Sequence, residues 1–203
     1  MSDRIRRRVS DNPRLSVLLC LVTLCSIGAG AVGATAATEQ LRASTLPYLV
    51  PDLKLVTQNG NSVSLAAEMD DGRPVVLNFV FTSCEAICPL MTQTLAEFQG
   101  KLGTDSARVH LMSISIDPEE DTPPRLRAYA KRFHAGPGWT FYTGTPQASM
   151  AAQKAFNVFR TDKMSHTSVI FMRSAPGAAW RRLDGFATPD DLVREYRVLV
   201  ASR

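Results

Sequence analysis

The sequence predicts an α/β domain: a mixed central sheet with helices on both faces and an N-terminal β-hairpin, preceded by one hydrophobic helix. Three observations lead there. Val75–Phe81 is a continuous apolar run, as expected of a central strand covered on both faces. Strand-like and amphipathic stretches then alternate, in the order β-α-β-α-β-α followed by β-β-α. Upstream, Gln58-Asn59-Gly60-Asn61 lies between two short alternating runs, 52–56 and 62–65, which is a hairpin pattern.

Taken from the N-terminus, residues 1–14 form a basic segment with Arg4, Arg6, Arg7, Arg8 and Arg14 against Asp3 and Asp11. Residues 15–37 carry no charge over 23 positions. As a helix they would reach about 34 Å, enough to cross a hydrocarbon core of about 30 Å. Arginines before this stretch predict a cytoplasmic N-terminus and an exported domain. Ala34-Thr35-Ala36 also suits a signal peptidase, so 15–37 reads as a transmembrane anchor or a signal peptide. The expected location is the periplasmic side of the inner membrane, single-pass anchored, or the periplasm if the leader is cleaved. Residues 38–46 read as a polar linker and 47–203 as the folded domain.

Within the domain, Pro89 opens an amphipathic helix that ends near Gly100–Gly103, since a proline costs little where the first-turn N–H lacks a partner. Val109–Ile116 is the next strand. The acidic, proline-bounded loop Asp117–Pro124 leads into a helix ending near Phe133. Trp139–Tyr142 reads as a strand, Pro146–Phe156 as a helix, and Ser168–Met172 with Trp180–Leu183 as a terminal strand pair. Thr188-Pro189 gives an N-cap and first-turn proline for a final helix to about Val200.

The net charge of +4 resides mostly in the first 14 residues, and the remainder has no basic stripe interleaved with aromatics. Nucleic acid is therefore not an expected partner. Of four cysteines, Cys20 and Cys25 fall in the hydrophobic segment and read as small apolar residues there.

Cys84 and Cys88 directly follow the apolar run, in Thr82-Ser83-Cys84-Glu85-Ala86-Ile87-Cys88-Pro89. Four residues apart on a helix, both sulfurs would share one face at a sheet edge, near amides that favour thiolate. A structural staple over so short a loop stabilises little. Two chemistries remain open: a redox-active dithiol pair, or ligation of a soft metal. Redox pairs usually have two intervening residues. Three leave room for an ion, and two thiolates with an imidazole suit copper. Among the histidines, His110 reads as a packed or surface strand residue and His134 as a solvated cap. His166 precedes the Val169-Ile170-Phe171 strand, where a thioredoxin-like topology turns the preceding loop toward the thiols.

The segments F-T-S-C-E-A-I-C-P, S-I-D-P-E-E-D-T-P-P and S-H-T-S-V-I-F, in this order, resemble the Sco/SenC family of copper-binding, thioredoxin-like proteins. The resemblance implies Cys84, Cys88 and His166 as copper ligands. It also implies a membrane-anchored exported domain that loads copper into cytochrome c oxidase, subunit II being the receiving client. Members also act as thiol-disulfide reductants toward an exchange partner. The resemblance places Asp117 and Asp121 near the metal, and Met91 and Met164 flank the site in sequence. Two departures stand out. Glu85 occupies a position where many members have proline, and the approach to His166 lacks an aspartate-bearing context. A peroxidase of the peroxiredoxin type shares the architecture but needs a Thr-x-x-Cys arrangement absent here.

Overall fold

The computed structural model describes residues 41–201. The basic segment 1–14, the hydrophobic stretch 15–37 and its expected helix lie outside the described residues. Among those described, no helix is long and apolar enough to cross a membrane.

Among the described residues, eight strands form one sheet, ordered β1-β8-β7-β4-β5-β6-β2-β3. They are β1 (Arg42–Leu46), β2 (Lys54–Thr57), β3 (Ser62–Ser64), β4 (Val75–Val80), β5 (His110–Ser115), β6 (Trp139–Thr143), β7 (Val169–Arg173) and β8 (Trp180–Asp184). Strands β4, β5 and β6 run parallel, whereas β7 pairs antiparallel to β4, with Asn78 opposite Ile170. The sheet is mixed, as the alternation of elements predicts. The hairpin forms as expected, with Leu55 opposite Val63 and Gly60 at φ 86°, a backbone angle that glycine adopts without strain.

Five α-helices of the described residues cover the sheet: α1 (Leu65–Met69), α2 (Ile87–Leu102), α3 (Pro123–Arg132), α4 (Pro146–Ala155) and α5 (Pro189–Ala201). Alternation along β4 sorts them by face, because successive side chains point to opposite sides. Val76 and Val80 pack with Leu95 and Phe98 of α2, Leu126 and Tyr129 of α3, and Leu192 and Tyr196 of α5. Val75, Leu77 and Phe79 pack with Leu65 and Met69 of α1 and with Ala152 of α4. At α5 the predicted cap is present: Thr188 Oγ1 accepts from the Asp191 N–H at 3.1 Å, and the Thr188 N–H donates to the Asp191 carboxylate at 3.0 Å.

Two expectations change. The end of the proposed linker, 42–46, is strand β1, paired antiparallel to β8 from Arg42–Asp184 to Leu46–Trp180. All five of its residues are exposed, so backbone pairing alone makes it a strand and no apolar alternation announces it. Helix α2 starts at Ile87, two residues before Pro89, and continues into a 3-10 turn over Gly103–Arg108.

Candidate functional site

The parallel strands β4 and β5 end at one edge, and β7 begins there because it runs the other way. Three loops meet at that edge: the thiol turn after β4, the acidic loop after β5, and the segment that leads into β7.

Cys84 lies in the turn, where its N–H donates to the Phe81 carbonyl at 3.2 Å, and Cys88 is the second residue of α2. The expectation that both share a helical face is thereby corrected: the tight turn, not helical spacing, brings the sulfurs together. Both are free thiols. Neither is presented openly at the sheet edge, since Cys84 is 6% exposed and Cys88 0%, packed with Phe81 and flanked by Ile87 and Ile116.

The two thiols differ in acidity. Burial pushes the Cys84 thiol up, but backbone N–H groups of Cys88, Ala86 and Ile87 and the Cys88 thiol donate to its sulfur, and the net shift is downward. These amides open α2, where helix N–H groups lack internal partners. Burial pushes Cys88 up to about 12, reinforced by neighbouring Cys84 and the Asp121 charge. The pair thus consists of one activated thiol and one held protonated.

Asp121 is fully buried. Its carboxylate accepts from the Thr82 N–H at 3.1 Å, the Thr82 hydroxyl at 2.6 Å and the Ser115 hydroxyl at 2.6 Å. Those bonds offset the desolvation of the charge and fasten the thiol turn to the end of β5. Asp117 accepts from the Lys163 ammonium at 2.6 Å.

His166 is 8% exposed, and its Nε2–H donates to the Phe79 carbonyl on β4 at 3.1 Å. Burial, together with the nearby Arg160 charge, holds the imidazole below its ordinary pKa, against the Phe79 carbonyl. Among the described residues no hydrogen bond reaches Nδ1, so the fixed tautomer leaves that lone pair unclaimed. An open cavity of about 330 Å³ is lined by His166 and Ile87, together with Arg160, Arg182 and Phe186. Ile87 also packs against the cysteine cluster, so it borders both the cysteines and the cavity beside His166. Among the described residues, no three His, Cys, Asp or Glu side chains are gathered as a metal cage.

His110 and His134 fall where the sequence places them, the first packed in β5 and the second exposed at φ 55° after α3. Met91 is core, whereas Met164 is 68% exposed. Sequence reasoning missed Thr82, Ser115, Ile87 and Lys163. Thr82 and Lys163 act through partners 39 and 46 residues away, and Ser115 and Ile87 through nearer ones that no local pattern marks.

A mixed sheet covered by helices, with a buried cysteine pair after a central strand and beside a helix N-terminus, defines a protein of thioredoxin-like fold. More particularly, the SCO1/SenC family model matches residues 42–201, and the chain belongs to that family. The SCO1 protein homolog of Bacillus subtilis (strain 168) is 31% identical over 162 residues, spanning 75% of this chain and 83% of that protein. BsSco, a member of the Sco family of cytochrome c oxidase assembly proteins with a disulfide switch, superposes with a TM-score of 0.66 at 27% identity, over 79% of this chain and 98% of its own. Yeast Sco1 with copper bound gives 0.67 at 22% identity, over 77% and 95%, a likeness of fold.

Proposed function

We propose that this protein is an exported copper metallochaperone, anchored or released through residues 15–37, that binds copper with Cys84, Cys88 and His166 and passes it to a membrane or exported client. By family likeness the client is cytochrome c oxidase, at subunit II. The observation that carries the reading is the set of donors at one sheet edge: two cysteines packed together with Phe81, and an imidazole whose Nε2 is committed to Phe79 while Nδ1 is free. A ligating histidine characteristically gives its other ring N–H to a carbonyl in this way. Two soft thiolates with one imidazole favour copper over hard cations. Because no three such side chains are gathered among the described residues, the reading requires the thiol turn and the histidine segment to close on the ion, as is common where binding and ordering are coupled. Anaerobic copper titration of the reduced chain against His166→Ala tests it. Stoichiometric binding weakened in the variant is expected; no binding, or no weakening, rejects the three-ligand site.

A second reading, a thiol-disulfide oxidoreductase that keeps client cysteines reduced, is favoured by the unequal acidity of the thiols. Cys84 thiolate attacks a client disulfide and releases one client thiolate. Cys88 then loses its proton and attacks the mixed disulfide, freeing the second client thiol. The Cys84–Cys88 disulfide forms and two electrons pass to the client. Cys88→Ala should trap the mixed disulfide, and His166→Ala should leave exchange unchanged. Failure to trap rejects this reading.

A further inference from the structure

We propose that Lys163 is a positioning residue for His166: its ammonium, seated on Asp117 and over the Phe81 ring, ties the segment that carries the imidazole to the thiol end of the sheet. The inference rests on the copper reading and adds a residue to it.

Three observations carry the argument. Among the described residues, two hydrogen bonds tie segment 160–167 to other elements: His166 to Phe79, and Lys163 to Asp117. The remaining bonds are internal or go to the adjoining Phe159 carbonyl, with Asp162 accepting from the Met164 N–H at 2.9 Å and from the Ser165 hydroxyl at 3.2 Å. Lys163 Nζ is 2.6 Å from Asp117 Oδ2 and 5.7 Å from the centre of the Phe81 ring. Phe81 packs against both cysteines. Asp117 is itself held, since its N–H donates to Ser115 Oγ at 3.0 Å, and that hydroxyl donates to Asp121, which holds Thr82.

A chain of contacts therefore runs Lys163–Asp117–Ser115–Asp121–Thr82, from the histidine segment to the thiol turn. Asp121 secures the sulfur side from beneath, and Asp117 secures the imidazole side through Lys163. The carboxylate is largely buried while the lysine is 45% exposed, so the tether is strong enough to bias the segment and weak enough to yield as it closes on an ion. The Lys163→Met change keeps a long stem over Phe81 and removes the charge; Lys163→Arg keeps the charge.

The test uses the reduced full chain in two arms. In the first, without copper, amide exchange is followed by NMR at His166, whose N–H donates to the Lys163 carbonyl at 3.2 Å. Lys163→Met should speed this exchange about two- to fivefold and Lys163→Arg should restore it. In the second, copper affinity is measured by chelator competition. Lys163→Met should weaken it about two- to fivefold, and should add nothing in a His166→Ala background. The potential of the dithiol pair should not move. Unchanged exchange in Lys163→Met overturns the tether. Equal weakening with and without His166 overturns the assignment to the imidazole. If wild type and His166→Ala bind copper alike, the three-ligand reading fails, and with it Lys163's role toward copper, while the exchange arm still decides whether the tether exists.

Discussion

Two buried histidines sit at opposite ends of β4's neighbours, and they differ in one respect that matters. His110 begins β5 beside Val75, at the starting edge of the parallel strands. Its Nδ1 lies 3.1 Å from the Glu68 carbonyl and 3.1 Å from the Asp71 carboxylate, and its Nε2 lies 3.0 Å from the Tyr142 hydroxyl. His166 lies at the far edge with Nε2 bound and Nδ1 unclaimed. Both are nearly inaccessible, and burial lowers the pKa of both. Burial and pKa therefore do not separate a structural histidine from a candidate ligand. The hydrogen-bond ledger does: a ring tied at both nitrogens has nothing left to give a metal.

The largest effect should come from the sulfurs that accompany the free nitrogen. Cys84→Ser replaces the activated thiolate with a hard, neutral hydroxyl, and copper affinity by chelator competition should fall about 100-fold or more. Retained affinity would remove the chemical contrast between the two ends.

The histidines themselves give the sharpest crossing. His166→Ala should weaken copper about 10- to 100-fold with a modest stability change. His110→Ala should leave copper affinity alone and cost about 2–3 kcal/mol in urea unfolding, because Tyr142, Asp71 and the Glu68 carbonyl lose a buried partner. If both variants moved the same observable, the ledger would have no predictive value.

How much of this was legible in the sequence follows from the range of each contact. The apolar run at β4, the Asn-Gly hairpin and the capped final helix announce themselves within a few residues, and all three are present. The pairing of Cys84 with Cys88 was legible from spacing, but for a reason the structure replaces, since the turn at Phe81 does what a helix was expected to do. Strand β1 was not legible, because an exposed edge strand needs only backbone partners on β8. The burial of Asp121 depends on Thr82, 39 residues away, and the seat of Lys163 depends on Asp117, 46 residues away. Local patterns carry no record of such pairings. The resemblance of motif order placed Asp117 and Asp121 near the site, and the structure supplies what each holds.

A smaller effect probes the ties at the structural end. Tyr142 donates to the Glu68 carboxylate at 2.6 Å and meets His110 Nε2. Burial and the Glu68 carboxylate raise its pKa, so the hydroxyl stays protonated throughout the working range. Tyr142→Phe keeps the ring in the core and removes these bonds. A loss of about 1–2 kcal/mol is expected by urea unfolding, with copper affinity unchanged.

The smallest effect is the pH dependence, where the two ends act in the same direction. Burial, with Arg73 adding to it, lowers the His110 pKa against the opposing pull of Asp71 and Glu68. Burial and Arg160 do the same for His166. A histidine harder to protonate when folded lets the unfolded chain bind the extra proton first. Its contribution to stability is whole above the unfolded value of about 6.5 and is lost as pH falls below it toward the folded pKa. Urea midpoints measured between pH 7.5 and 5 should therefore decline on acidification, and His110→Gln should shallow the decline without abolishing it, since His166 retains its share. A rising midpoint would mean that Asp71 and Glu68 outweigh burial at His110. The ring would then be a charged member of an acidic cluster, and the likeness between the two histidines would end at their burial.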